Sequence, residues 1–115
     1  MALLAGADLG GARGVLLLQS SGVGTCINML LSQTGGDFRC WRSLACAAIS
    51  AREILQYPMG RATQPALEAM GVICLRVDDP EEVLRVVGAA LTMVYQAGHA
   101  VAVLFTQKLL GAKKF

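Results

Sequence analysis

Six consecutive residues, Gln19-Ser20-Ser21-Gly22-Val23-Gly24, hold the densest ligand-binding character in the chain. They follow an apolar run, Val15-Leu16-Leu17-Leu18, that reads as a buried strand. They precede Thr25 to Leu31, where Ile27, Leu30 and Leu31 fall at helical spacing. Residues 15 to 31 are therefore expected to form a strand, a glycine-rich turn and a helix. Glycines in such a turn let the backbone come close to a ligand, because no Cβ intervenes. The helix that follows points its free N–H groups at whatever binds there. Gln19, Ser20 and Ser21 add hydrogen-bonding side chains. The chemistry expected is recognition of a polar ligand beyond the C-terminal end of a strand. The spacing is not the dinucleotide fingerprint, because Ile27 stands where the third glycine of G-x-G-x-x-G belongs. Nor is it a phosphate-binding loop of the Gly-Lys-Ser/Thr type. On these residues alone, a tight turn with no ligand is an equally good reading.

Few other residues offer chemistry. The four cysteines, at 26, 40, 46 and 74, form no C-x-x-C pair, and the single histidine, His99, has no acid or thiol beside it in sequence. Free thiols in a reducing compartment are expected rather than a zinc site. The net charge of +2 favours no particular partner, and the basic pair Lys113-Lys114 reads as a solvated tail. No nucleic-acid partner is expected.

The flanking pattern supplies the elements that position the turn. Residues 1 to 9 read as the end of a helix that Gly10-Gly11 stops. Thr34-Gly35-Gly36-Asp37 is a loop, and Leu44 to Ile49 lies between helix and strand in character, its place in the alternation favouring a strand. Tyr57-Pro58-Met59-Gly60 is expected to be a loop. Gln64 to Met70 is expected to be a helix with Pro65 in its first turn and Gly71 just past its end. Val72 to Val77 reads as a strand. Asp79-Pro80-Glu81-Glu82 is a helix start: Asp79 can cap, Pro80 fits the first position, and the glutamates complement the positive helix end. Val83, Val86, Val87, Ala90, Leu91 and Val94 then form a buried stripe, and Gly98 ends the helix. Ala100 to Thr106 is a last strand, and Gln107 to Leu110 a short closing turn or helix.

Helices and strands thus alternate, which predicts an α/β domain, a mostly parallel sheet flanked by helices in three layers. At 115 residues the chain is one domain, residues 1–115. It is 55% hydrophobic and only 16% charged. Strands covered on both faces, together with an oligomeric surface, would account for that. No apolar stretch approaches the ~18 residues of a membrane-spanning helix, and no basic segment precedes an apolar one as in a signal peptide. The cytoplasm is the expected compartment.

The run Val15 to Gly24, followed by Asn28-Met29-Leu30, resembles the pyrimidine-binding domain of thiamine diphosphate-dependent 2-oxoacid decarboxylases, closest to the sulfopyruvate and phosphonopyruvate decarboxylase group. The resemblance resumes at Pro58-Met59-Gly60-Arg61-Ala62-Thr63 and at Leu67 to Val72. It returns at Ala100 to Leu104 and at Lys108-Leu109-Leu110-Gly111. It implies the thiamine diphosphate-binding fold, with thiamine diphosphate as cofactor. Gln19, Ser20, Ser21, Gly22, Val23, Gly24 and Asn28 would contact that cofactor. It also implies a partner, a diphosphate-binding (beta) subunit or domain that holds Mg²⁺, and a small 2-oxoacid substrate. The family's mechanism uses a glutamate that hydrogen-bonds the aminopyrimidine, so that the cofactor's carbanion forms and adds to the 2-keto group, and the ring then serves as an electron sink while CO₂ leaves.

Three features depart from the family. The catalytic glutamate has no counterpart: Asp8 is the only acid before the turn and lies too close to the strand. The resemblance therefore implies an incomplete, N-terminally truncated domain with no catalytic residue and no metal ligand of its own. Thr25 replaces the family's asparagine after Gly-x-Gly, and a hydroxyl has less reach than an amide. Residues 41 to 57 match nothing in the family and hold no Arg-Gly pair, although both flanks match, which points to a local change of reading frame. Three functions follow: a decarboxylase subunit that needs its partner, a catalytically dead truncated fragment, or a non-enzymatic α/β interaction module.

Overall fold

A computed structural model describes residues 1–34, 44–48 and 57–110. Thr34 of the expected loop 34–37 ends α2, whereas residues 35–37, Cys40, residues 41–43 and 49–56 of the unmatched segment and the Lys113-Lys114 tail lie outside the described residues. The elements in order are α1 (Ala2–Leu9), β1 (Val15–Gln19), α2 (Ser20–Thr34), β2 (Leu44–Ala48) and α3 (Tyr57–Ala69). There follow β3 (Ile73–Val77), a 3₁₀ turn Pro80–Glu82, α4 (Val83–Tyr95), β4 (Val101–Phe105) and the short α5 (Gln107–Leu110). The chain is a mixed α/β protein with a small parallel sheet. The ambiguous 44–49 segment is a strand over Leu44–Ala48.

The four strands pair in the order β1-β2-β4-β3, all parallel. Right-handed crossovers account for where the helices lie. The chain steps one way across the sheet from β1 to β2 to β3, so α2 and α3 share one face. It then steps back from β3 to β4, which puts α4 on the other. Alternation along β4 records this arrangement. Ala102 and Leu104 join Val23 and Leu30 of α2 and Leu67 of α3, whereas Val101 and Val103 join Val77 and α4's Ala90 and Val94. The stripe expected on α4 is the one that packs.

Glycines end three of the helices as their positions suggested. Gly11, Gly71 and Gly98 have φ of 80°, 76° and 71°. At the end of α3, the amide of Val72 donates to Leu67 O at 3.0 Å and that of Gly71 to Glu68 O at 2.9 Å. These two bonds satisfy carbonyls that the helix end would otherwise leave open. At the start of the 3₁₀ turn, Asp79 Oδ1 accepts from the Glu81 amide at 3.0 Å, the cap expected there.

Two expectations fail, both over helix starts. Tyr57-Pro58-Met59-Gly60 is not a loop but the first turn of α3, and Pro65 lies inside that helix. Pro58, not Pro65, occupies the N-terminal position where a missing N–H costs nothing. Met59, Thr63 and Leu67 recur at helical spacing on the packed side, with Thr63 and Leu67 buried, and this burial carries the helix through Pro65. The second failure concerns the glycine-rich turn. α2 begins at Ser20, directly after β1, and runs to Thr34, so residues 20–24 are helical. Neither Gly22 nor Gly24 has a positive φ. Glycine permits a turn without requiring one, and burial of Val23 and Leu30 against the sheet holds the segment in helix.

β1 forms one edge of the described sheet and β3 the other. The burial of β1 alternates, with Leu16 and Leu18 toward the α2 side and Val15, Leu17 and Gln19 exposed. α1 buries none of its residues. It rests on Met1, which packs against the α2-side core, and on Leu4 beside Gly14. At the entrance to β1, Tyr95 Oη donates to Gly14 O at 3.2 Å, and the Arg13 guanidinium lies 4.9 Å from the Tyr95 ring centre.

Candidate functional site at the C-terminal rim of the sheet

The direct junction of β1 and α2 divides the residues that sequence spacing grouped together. Ser20 and Val23 are buried, at 1% and 3% exposure. Ser21, Gly24, Thr25 and Asn28 follow one another at i, i+3, i+4 and i+7 and make a single outward stripe, exposed from Gly24 onward. Gln19, exposed, ends β1 beside it. Gly22 and Gly24 have packing roles. A Cβ on Gly22 would stand 3.3 Å from Leu18 Cβ, so its absence lets α2 lie close on β1. A Cβ on Gly24 would stand 3.0 Å from Met59 Cε of α3. The outward stripe therefore abuts the first turn of α3.

Thr25 has a definite task. Its hydroxyl donates to Gly22 O at 2.8 Å, within the helix. One turn into α3, the Thr63 hydroxyl donates to Met59 O at 2.7 Å. Both bonds tie a side chain to the preceding turn of its own helix and fix the two first turns that meet at Gly24.

Behind α2 lies a cavity of about 20 Å³ lined by Leu16, Leu18, Val23, Cys26, Leu30 and Leu67 among others. It is far too small for an aromatic ring, and its apolar walls offer a water no partner. A ligand at this junction would have to sit outside, on the stripe and over the helix N-terminus.

Other groups gather at the same rim, at the ends of β3 and β4. The Thr106 side chain, foremost, and then Arg76 and Lys108 hold the Asp78 carboxyl below its usual range, while partial desolvation pulls the other way. No hydrogen bond of proper geometry closes between Thr106 and Asp78, and the buried Thr106 Oγ1 has no partner among the described residues. Arg76 Nε instead reaches both Asp78 oxygens at 3.2 Å. Sequence spacing gave no sign of this cluster, because its members come from two strands that only the sheet makes neighbours. Elsewhere, Cys26 and Cys74 are free and half-buried. Burial first, and then the charge of Glu68, push the Cys74 thiol up to about 11, which leaves it unreactive.

The rim offers amide N–H groups, hydroxyls and the amide of Asn28 to a polar ring, and these suit one face of an aminopyrimidine. No acidic residue lies in the first turn of α2 or of α3. These groups of the rim are of a kind that can hydrogen-bond such a ring, and the first turns of α2 and α3 bring no acid to it. Among the described residues, no group of three or more histidine, cysteine or acidic side chains could hold a metal ion, and no helix is long and apolar enough to cross a membrane.

No protein-family profile matches the chain. The chain is similar to the sulfopyruvate decarboxylase subunit alpha of Methanocaldococcus jannaschii, with 29% identity over 109 residues. The match covers 90% of this chain and 62% of the relative, so the chain spans about three-fifths of the relative's length. At this identity and coverage the two are distant homologues.

Proposed function

We propose that the chain is the pyrimidine-side component of a thiamine diphosphate-dependent decarboxylase. It adopts the thiamine diphosphate-binding fold as one domain, and its substrate is a small 2-oxoacid of the sulfopyruvate or phosphonopyruvate kind. It works in the cytoplasm with a companion subunit that grips the diphosphate through Mg²⁺, and it is inactive alone. One observation carries this reading: two segments of the family resemblance, 19–28 and 58–63, meet at the C-terminal rim through Gly24 and Met59.

When bound, the cofactor supplies a carbanion and an electron sink for loss of CO₂. This chain's own part is to hold and orient. Gln19, Ser21, Gly24 and Asn28, on the outward stripe and beside it, would hold the ring, and the first-turn amides of α2 would offer it hydrogen-bond donors. Ser20 and Val23, buried, support the stripe from behind, and Gly22 sets its distance from β1. The acid that protonates the ring comes from outside these residues. Titration calorimetry with thiamine diphosphate and Mg²⁺ should show binding when the companion subunit of the Methanocaldococcus enzyme is present. CO₂ release from sulfopyruvate should likewise appear only in the mixture. Absence of binding in the mixture would overturn the reading.

The uncovered edge of β1 favours a second reading, an interaction module without catalysis. Leu17 is 76% exposed on a strand with no charge to guard it. Binding of a protein partner with no cofactor uptake would favour it.

A further inference from the structure

We propose that Met59 is a positioning residue for the cofactor rim, seated on Gly24 so that the first turns of α2 and α3 act as one surface. This rests on the thiamine diphosphate reading above. Gly24 lies inside a helix with an ordinary helical backbone, so no φ requires glycine there. Glycine is the poorer helix former. The exposed helical Gly6 and Gly88 have open space where a Cβ would stand, whereas Gly24 does not. The structure places the Met59 methyl there, 3.0 Å from where that Cβ would stand.

Met59 suits the task. It is half-buried, and its unbranched thioether adapts to an irregular gap. Its own carbonyl is tied by the Thr63 hydroxyl at 2.7 Å, and Thr63 is buried, so the turn that carries Met59 is fixed to the core. The Met59 methyl therefore joins a fixed first turn of α3 to the stripe Ser21, Gly24, Asn28.

Gly24→Ala separates positioning from folding. Alanine gains helix propensity but crowds the Met59 methyl, so a purely structural role shows as a change in melting temperature with cofactor affinity unchanged. A positioning role weakens thiamine diphosphate binding, measured by calorimetry with Mg²⁺ and the companion subunit, by roughly tenfold, because small displacements of contact groups cost heavily. Adding Met59→Ala removes the methyl that the new Cβ displaces and should restore affinity toward that of the Met59→Ala single variant. If Gly24→Ala binds as tightly as the unmodified chain, the positioning role is overturned while the cofactor reading stands. If the double variant stays weak, Gly24 meets the cofactor directly and the role of Met59 is overturned. An unmodified chain that takes up no cofactor overturns both.

Discussion

β4 and β1 are five-residue strands of similar character, Val-Ala-Val-Leu-Phe and Val-Leu-Leu-Leu-Gln, in opposite circumstances. Val101 to Leu104 are at most 1% exposed, whereas Val15 and Leu17 are 45% and 76% exposed. The difference lies in the cover. α2 and α3 lie over one face of the sheet, and on the other face α4 covers β4 and β3. At β1, α4 contributes the Tyr95 tether to Gly14 and leaves Leu17 bare. An apolar run thus reports that a strand is suited to cover on both faces, and the lengths and crossings of the helices decide whether it receives it.

Leu104→Ala should give the largest effect, a loss of about 3 kcal/mol in urea unfolding, because the site is closed on every side. Leu17→Ala should stay within about 0.5 kcal/mol. Equal losses at the two positions would break the comparison. Gly71→Ala, at φ 76° where α3 turns into β3, should cost about 1–2 kcal/mol. The same change at Gly11 should hardly move global unfolding, since α1 buries no residue. Asp79→Ala should cost about 1 kcal/mol by removing the cap that starts the path into α4. Leu17→Lys should leave stability nearly unchanged and reduce self-association in light scattering, because a charged edge resists pairing.

The smallest effect concerns pH. The Asp78 carboxyl titrates below its usual range in the fold. Its contribution is present above the unfolded pKa and is lost as pH falls through the folded pKa. Asp78→Asn should lower stability slightly at neutral pH and converge with the parent chain in acid, which flattens the acid limb of the profile.

Much of this architecture was legible in sequence. The strands expected at 15–18, 72–77 and 100–106 form to within a residue at either end, and they, the stripe of α4 and the glycine stops at 11, 71 and 98 follow from periodicity and backbone chemistry. Helix starts were less legible. Pro65 carried the sign of a first turn, yet the burial of Thr63 and Leu67 extends α3 back to Tyr57. Gly22 and Gly24 carried the sign of a ligand loop, yet Leu18 and Met59 take up the space they leave. In both places the deciding contact is with another element, and local spacing does not record it. For the candidate site, sequence singled out Gln19 to Gly24 and Asn28, but it gave no sign of their division into an outward stripe and a buried support. Met59 belonged to a matching segment without any sign that it touched Gly24.

The strand order bears on how the molecule is made. Among the strands whose burial is described the most buried is β4, and it is the last of the four to leave the ribosome. Until Val101–Phe105 emerge, β3 has no neighbour to bond with, and β2 can pair only with β1. The nascent chain must therefore carry Ile73–Val77 unpaired while α4 is synthesised, and the sheet closes when its centre is inserted between two waiting edges.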